Sequence, residues 1–171
     1  MEMKGEKRRM TKPFKGVFGR FKPNVSIERD FYTMATADGD EAEIVMYGEI
    51  VQERPKHWWT GEPEEGNFII LDEFLEDLRE ISHSKKITIR MNSVGGDAYA
   101  AIPIHNRLRE LSAEITCIVD GVARSGGSLI MCAADTIRVN ASSLIMAHLC
   151  WTRPWGVYNA KDLRQLASSI D

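Results

Sequence analysis

The 171-residue sequence predicts an α/β domain with a mainly parallel sheet, and three observations carry that expectation. Short apolar runs of strand character alternate with stretches in which apolar residues recur every three or four positions. The connections between them are short, which favours parallel strands joined by crossover helices that cover the sheet on its faces. Two strand-to-helix turns are rich in glycine, and sites in such sheets collect at these turns.

Residues 1–26 lack sustained periodicity and include Pro13 and Pro23, so they read as a flexible leader ahead of one folded domain over residues 27–171. Glu43 to Val51 is a strand candidate, followed by a Pro- and Gly-punctuated loop from Arg54 to Asn67. The adjacent Trp58 and Trp59 in that loop fit either a partner surface or an apolar lid on the core. Ile70, Phe74, Leu78 and Ile81 form one helical stripe, with Asp72, Glu73, Glu76 and Asp77 expected to face water. A strand comes next at Lys86 to Met91. Ala101, Ile104, Leu108 and Leu111 then form a second stripe leading into the run Ile115 to Val119; Pro103 should cost that helix a hydrogen bond or delay its start. Ser125 to Ala134 reads as a short buried helix, and Thr136 to Val139 and Leu144 to Ala147 as short strands. Asn159 with Asp162 forms a capping pattern before Leu163, Leu166 and Ile170, on a helix expected to run to the end of the chain.

With 43% hydrophobic and 27% charged residues, the composition is that of a globular protein. The net charge of -3 hides an asymmetry: residues 1 to 24 hold eight Lys and Arg against Glu2 and Glu6, about +6, which leaves about -9 for the rest. A short basic start is more often a solvated tail than a nucleic-acid site, so no specific nucleic-acid partner is expected. No stretch reaches the roughly 18 apolar residues of a membrane span and the start has no apolar signal core, so the expected location is cytoplasmic. Cys117, Cys132 and Cys150 are odd in number and show no C-x-x-C spacing, which points to reduced, mostly buried thiols and to neither a disulfide framework nor a zinc site. No metal and no cofactor are expected.

The two glycine-rich turns are Asn92-Ser93-Val94-Gly95-Gly96-Asp97 and Asp120-Gly121-Val122-Ala123-Arg124-Ser125-Gly126-Gly127-Ser128. Glycine lets backbone N–H groups approach a ligand closely. In the second turn Ser125 opens a helix, where unpaired N–H groups favour negative charge on an attacked carbonyl oxygen, so Ser125 is placed like a nucleophile. Its hydroxyl needs a base, and His148, twenty-three residues later, comes after a short strand that could lie alongside. Each feature alone has an ordinary structural explanation: a helix cap, a turn, a satisfied polar side chain.

Their order and spacing from about Glu41 to Asp171, roughly three quarters of the chain, resemble the ClpP family of serine peptidases, and within it the head-maturation proteases of tailed phages and prophages. Ile89 to Asp97 resembles the family's strand and N-S-P-G-G turn, with Val94 where proline is usual. Val119 to Ser128 resembles the phage branch's D-G-x-A-A-S-x-x-S, with Arg124 where a small residue is usual, and sets the nucleophile at Ser125. Leu144-Ile145-Met146-Ala147-His148 resembles the family's M-I-H segment, and Trp151, Trp155 and Asp162-Leu163-Arg164 resemble the stretch after that segment in the phage branch.

The resemblance implies a ClpP/crotonase-like fold of repeated ββα units and a serine endopeptidase with Ser125 as nucleophile and His148 as base. It also implies backbone N–H groups of Gly96 and Gly126 as the oxyanion hole. The implied partners are a protein or peptide substrate, further copies of the chain in a ring, and capsid or scaffold proteins in a phage or prophage setting within a bacterial host, or else an ATPase unfoldase. The family's triad acid lies well beyond the histidine, whereas only 23 residues come after His148 here, so the domain is expected to be incomplete at its C-terminus. Asp135, Asp162 and Asp171 match no catalytic position, and Lys161, near a helix start, is a poor candidate for a Ser–Lys dyad. A catalytically impaired oligomerising or scaffold protein, and an acyl-thioester-binding relative without a serine nucleophile, are the competing readings.

Overall fold

The computed structural model describes residues 25–28, 32–37 and 40–170. In chain order the elements are β1 (Val25–Glu28), β2 (Tyr32–Ala37), β3 (Glu41–Val51), β4 (Phe68–Ile70), α1 (Leu71–Glu80), β5 (Lys86–Gly96), α2 (Ala98–Arg109), β6 (Glu114–Arg124), α3 (Gly126–Met131), β7 (Thr136–Val139), β8 (Leu144–Met146) and α4 (Ala160–Ser168). The sheet runs β1-β2-β3-β5-β6-β7, with β4 added to the end of β3 and β8 to the end of β6. β1 and β2 are antiparallel to their neighbours, and every pairing from β3 onward is parallel. The fold is thus the α/β class with a mainly parallel sheet that the alternating pattern predicts.

Alternation along the strands decides which face is covered. Ile44 and Met46 of β3, Ile87, Ile89 and Met91 of β5, and Ile115, Cys117 and Val119 of β6 point to one side and are almost fully buried. They meet Phe74, Leu78 and Ile81 from α1 and its end, Ala101, Ile104 and Leu108 from α2, and Ile130 and Met131 from α3. The intervening residues form a polar face. There the Tyr47 hydroxyl donates to Asp120 Oδ2 at 2.8 Å, and Arg90 Nε donates to the same oxygen at 2.8 Å while its guanidinium also reaches Oδ1. Burial, then the bond to Asp120, pushes the Tyr47 phenol up to about 12. Glu43 lies beside this pair, and its burial raises its carboxyl above the usual range. Among the described residues α1, α2 and α3 therefore cover one face of the sheet, not both as expected, because the charged residues at alternate positions on the other need each other or water.

Several expectations are corrected. β1 and β2 have no counterpart in the sequence reading; β1 begins at Val25, inside the stretch read as leader, and residues 1–24 lie outside the described residues. Asp77 is buried, not solvated, because it shares a helix face with Phe74 and Ile81, three residues before and four after. Pro103 sits inside α2 without delaying it: Asp97 caps the start by accepting the Tyr99 N–H at 2.8 Å, and four buried residues hold the helix to the core. α4 stops at Ser168, although its start has the expected capping box of Asn159 and Asp162. Of the three free cysteines only Cys117 is buried; Cys132 and Cys150 are exposed.

Phe74 is 0% exposed at the centre of the helix-covered face, so Phe74→Ala should lower the unfolding free energy by about 3–5 kcal/mol in urea titration; a loss under about 1 kcal/mol would mean α1 is not seated there. Burial raises the Cys117 thiol to about 12, leaving almost no thiolate near pH 8. Native protein should therefore release two equivalents of colour with Ellman's reagent, from Cys132 and Cys150, and the third only in denaturant.

Candidate active site

Ser125 occupies the junction between β6 and α3 with φ 51 and ψ -121, a conformation rare for a residue with a side chain. It is held from three directions. Its N–H donates to Met146 O at 2.8 Å, and its carbonyl accepts the Leu129 N–H at 3.1 Å and the Ser128 hydroxyl at 2.7 Å. Ser128 is thus committed to supporting the turn.

β8 pairs in parallel with the last residues of β6, Val122 against Leu144 and Arg124 against Met146. Continuing the chain two residues past Met146 brings His148 beside Ser125, with Nε2 and Oγ 2.9 Å apart. The other ring nitrogen, Nδ1, lies 2.6 Å from Leu149 O. A carbonyl can only accept, so Nδ1 carries the proton; Nε2 of the neutral ring is then the acceptor and the Ser125 hydroxyl donates to it. This is the tautomer in which an imidazole can take a proton from a serine.

The glycine turn at the end of β5 closes the corner. Gly95 has φ +91, and a Cβ there would stand 2.4 Å from Arg124 O, 2.7 Å from Ser125 Cβ and 2.8 Å from Gly126 N. Gly96 has φ +146, and its Cβ would overlap Ile50 O at 2.0 Å. Both positions therefore require glycine. The Gly95 N–H donates to Ser93 Oγ at 3.1 Å, while the Ser93 hydroxyl donates to Gly48 O at 2.6 Å. A Cβ on Gly126 would lie 3.6 Å from Gly96 N, so the backbone of Gly96 and the start of α3 share one corner with Ser125.

Three of these supports were not singled out from the sequence. Ser93 had a readable signal, a hydroxyl two residues before a glycine turn; Ile50 and Met146 act through backbone carbonyls, which no side-chain pattern reports. Arg124 is exposed at the end of β6, and it is its carbonyl that abuts Gly95. Asp135 accepts the Ile115 N–H at 2.8 Å and Asp162 caps α4, so neither turns to His148; Asp171 lies outside the described residues. Lys161 is the second residue of α4, with its N–H on Asn159 Oδ1, and Ser125 Oγ bonds to His148. Among the described residues no group of three or more His, Cys, Asp or Glu could hold a metal, and no helix is long and apolar enough to cross a membrane.

A family model described as Clp protease matches residues 70–171. The chain belongs to the Clp protease family. Among solved structures, it is similar to a point mutant of ClpP1 from Listeria monocytogenes, at 23% identity and a TM-score of 0.51 over 75% of this chain and 63% of that one. It thus spans less than two thirds of the length of that relative. Enoyl-CoA hydratase from Thermoplasma volcanium GSS1 matches at 16% identity with a TM-score of 0.49, over 68% of this chain and 51% of that one. No curated protein matches.

Because a Cβ on Gly96 would meet Ile50 O at 2.0 Å, Gly96→Ala must part the ends of β3 and β5. It should abolish covalent labelling of Ser125 by a fluorophosphonate while far-UV circular dichroism stays near the parent's; full labelling would show that this corner tolerates a side chain.

Proposed function

We propose that the chain is a serine endopeptidase, and the observation that carries the reading is the 2.9 Å contact between His148 Nε2 and Ser125 Oγ with Nδ1 already bonded on its far side. Ser125 Oγ attacks a peptide carbonyl as Nε2 takes its proton. The negative oxygen is received by the N–H groups of Gly96 and Gly126, and the C–N bond breaks as the imidazolium returns the proton to the leaving amine. Water, deprotonated by Nε2, then releases the acyl group and restores the serine.

The likeness of Val119 to Ser128, and of Trp151, Trp155 and Asp162 to Arg164, to the phage branch favours capsid or scaffold maturation over partnership with an unfoldase. A homo-oligomer fits the surface: Leu149, Trp151, Trp155 and Val157 are exposed, and α4 has no buried residue. One observation favours a second reading, a catalytically impaired scaffold. His148 Nδ1 donates to a carbonyl, which fixes the tautomer and orients the ring but adds no full negative charge opposite an imidazolium, so a site closed off from water would hold that charge poorly.

Fluorophosphonate labelling near neutral pH separates the two. The peptidase reading expects labelling of the parent and its loss in both Ser125→Ala and His148→Ala. A well-folded parent that takes no label would favour the scaffold.

A further inference from the structure

The segment between β3 and β4 is absorbed by neither the core nor the Ser125 corner, yet both its ends are fastened to that corner. Ile50 O accepts the Asp97 N–H at 2.8 Å, and a Cβ on Gly126 would come 3.6 Å from Ile50 Cδ1. Gln52 Nε2 donates to Asp97 Oδ2 at 2.6 Å, and the returning strand is held where the Glu49 N–H donates to Asn67 O at 2.7 Å.

Between these roots the chain doubles back on its own hydrogen bonds. Glu64 N–H donates to Pro55 O, His57 N–H to Glu62 O and Gly61 N–H to His57 O, each at 2.8 Å; Lys56 bridges Pro63, and Gly61 turns at φ +71. The tip holds Trp58 and Trp59 edge to face, ring centroids 5.4 Å apart, at 85% and 77% exposure. That exposure rules out a lid on the core. A backbone so fully bonded that still presents two indoles to water is the anatomy of a docking element: large, rigid aromatic area at low entropic cost.

Exposed apolar side chains also lie on the elements that form the Ser125 corner. Tyr99, next but one to the Asp97 that anchors Gln52, is 69% exposed; Val94, before the glycine pair, is 56% exposed, and Leu129 on α3 is 36% exposed. The hairpin is also acidic, with exposed Glu53, Glu62, Glu64 and Glu65 against Arg54 and Lys56.

We propose that this hairpin is a substrate-docking arm: Trp58 and Trp59 grip large apolar side chains of an extended polypeptide, the surrounding glutamates favour basic residues beside them, and Tyr99 and Val94 continue the track to Ser125. The inference rests on the peptidase reading of that site, and it names the substrate class as apolar and basic.

The test uses the full chain carrying Ser125→Ala, so that binding is read without chemistry and independently of whether Ser125 is a working nucleophile. Two fluorescein-labelled synthetic peptides, one alternating Phe and Lys and one alternating Phe and Glu, are titrated by fluorescence anisotropy. The Phe/Lys peptide should bind at least tenfold more tightly than the Phe/Glu peptide. Adding Trp58→Ala and Trp59→Ala should weaken Phe/Lys binding at least tenfold, with Trp58→Phe and Trp59→Phe restoring part of it, while circular dichroism and the thermal midpoint stay at the parent's values. Absence of Phe/Lys binding, equal binding by the alanine variant, or no preference between peptides overturns the proposal. So does a change in sedimentation coefficient on removing the indoles, because the hairpin would then contact a second copy of the chain.

Discussion

Three backbones meet at the Ser125 corner: the end of β3 at Ile50, the glycine pair ending β5, and the β6-to-α3 turn at Ser125. Gly95 and Gly96 make that approach possible, since a Cβ on either would overlap Arg124 O or Ile50 O. The rest of the site depends on the approach. With the strand ends so close, Asp97 can bond Ile50 O and cap α2, Ser93 can tie Gly48 to Gly95, and the backbone of Gly96 comes beside the first residue of α3. The positive φ of Ser125 is held by neighbours bonded on all sides, which is how an unfavourable backbone conformation persists in a stable fold.

The corner needs a frame that does not slide. The parallel pairing of β3, β5 and β6 is in register over the buried isoleucines and methionines, and a one-residue slip would carry those side chains to the face that holds Arg90 and Asp120. That polar face penalises the slip a second time, because the pair would lose its match with Tyr47. The register breaks only above this zone, between Tyr47 and Glu49 on β3 and between Met91 and Ser93 on β5. Irregularity is thus confined to the stretch where the strands must bend to form the corner.

The helices and the inner strands were legible because burial on one face writes a period into the sequence: Phe74 and Leu78, or Ile104 and Leu108, recur at helical spacing whatever their neighbours are. Ser125, Gly95, Gly96 and His148 stood out because each residue type is demanded by a backbone or a proton, and the family resemblance supplied their pairing, which spacing could not. β1 and β2 were missed because runs of four and six residues are too short to show a clear period, and their strand state comes from pairing, β1 with β2 and β2 with β3. Asp77 was misread because a charged residue on the edge of an apolar stripe looks solvated until the packing beside it is seen. Ile50 and Met146 contribute carbonyl oxygens, which every residue owns, so no sequence pattern singles them out.

The orientation of His148 separates two tasks that a triad acid usually performs together. One is to fix the tautomer, and the Leu149 carbonyl does this at 2.6 Å. The other is to oppose the charge that appears on the ring when Nε2 takes a proton, and a neutral carbonyl does this only through its dipole. The value of the second task depends on the surroundings: a unit charge about 4 Å away is worth about 1 kcal/mol in bulk water and about 4 kcal/mol at the effective dielectric of a partly covered protein site. His148 is exposed in the single chain, so water can solvate the imidazolium and a carboxylate would add little. Any partner that settles on the bare apolar surface around Leu149 and Trp151 would strip that water away. Covering the site is what would give a negative charge beside Nδ1 its value, so any proton uptake by His148 and the burial of its surroundings are physically linked.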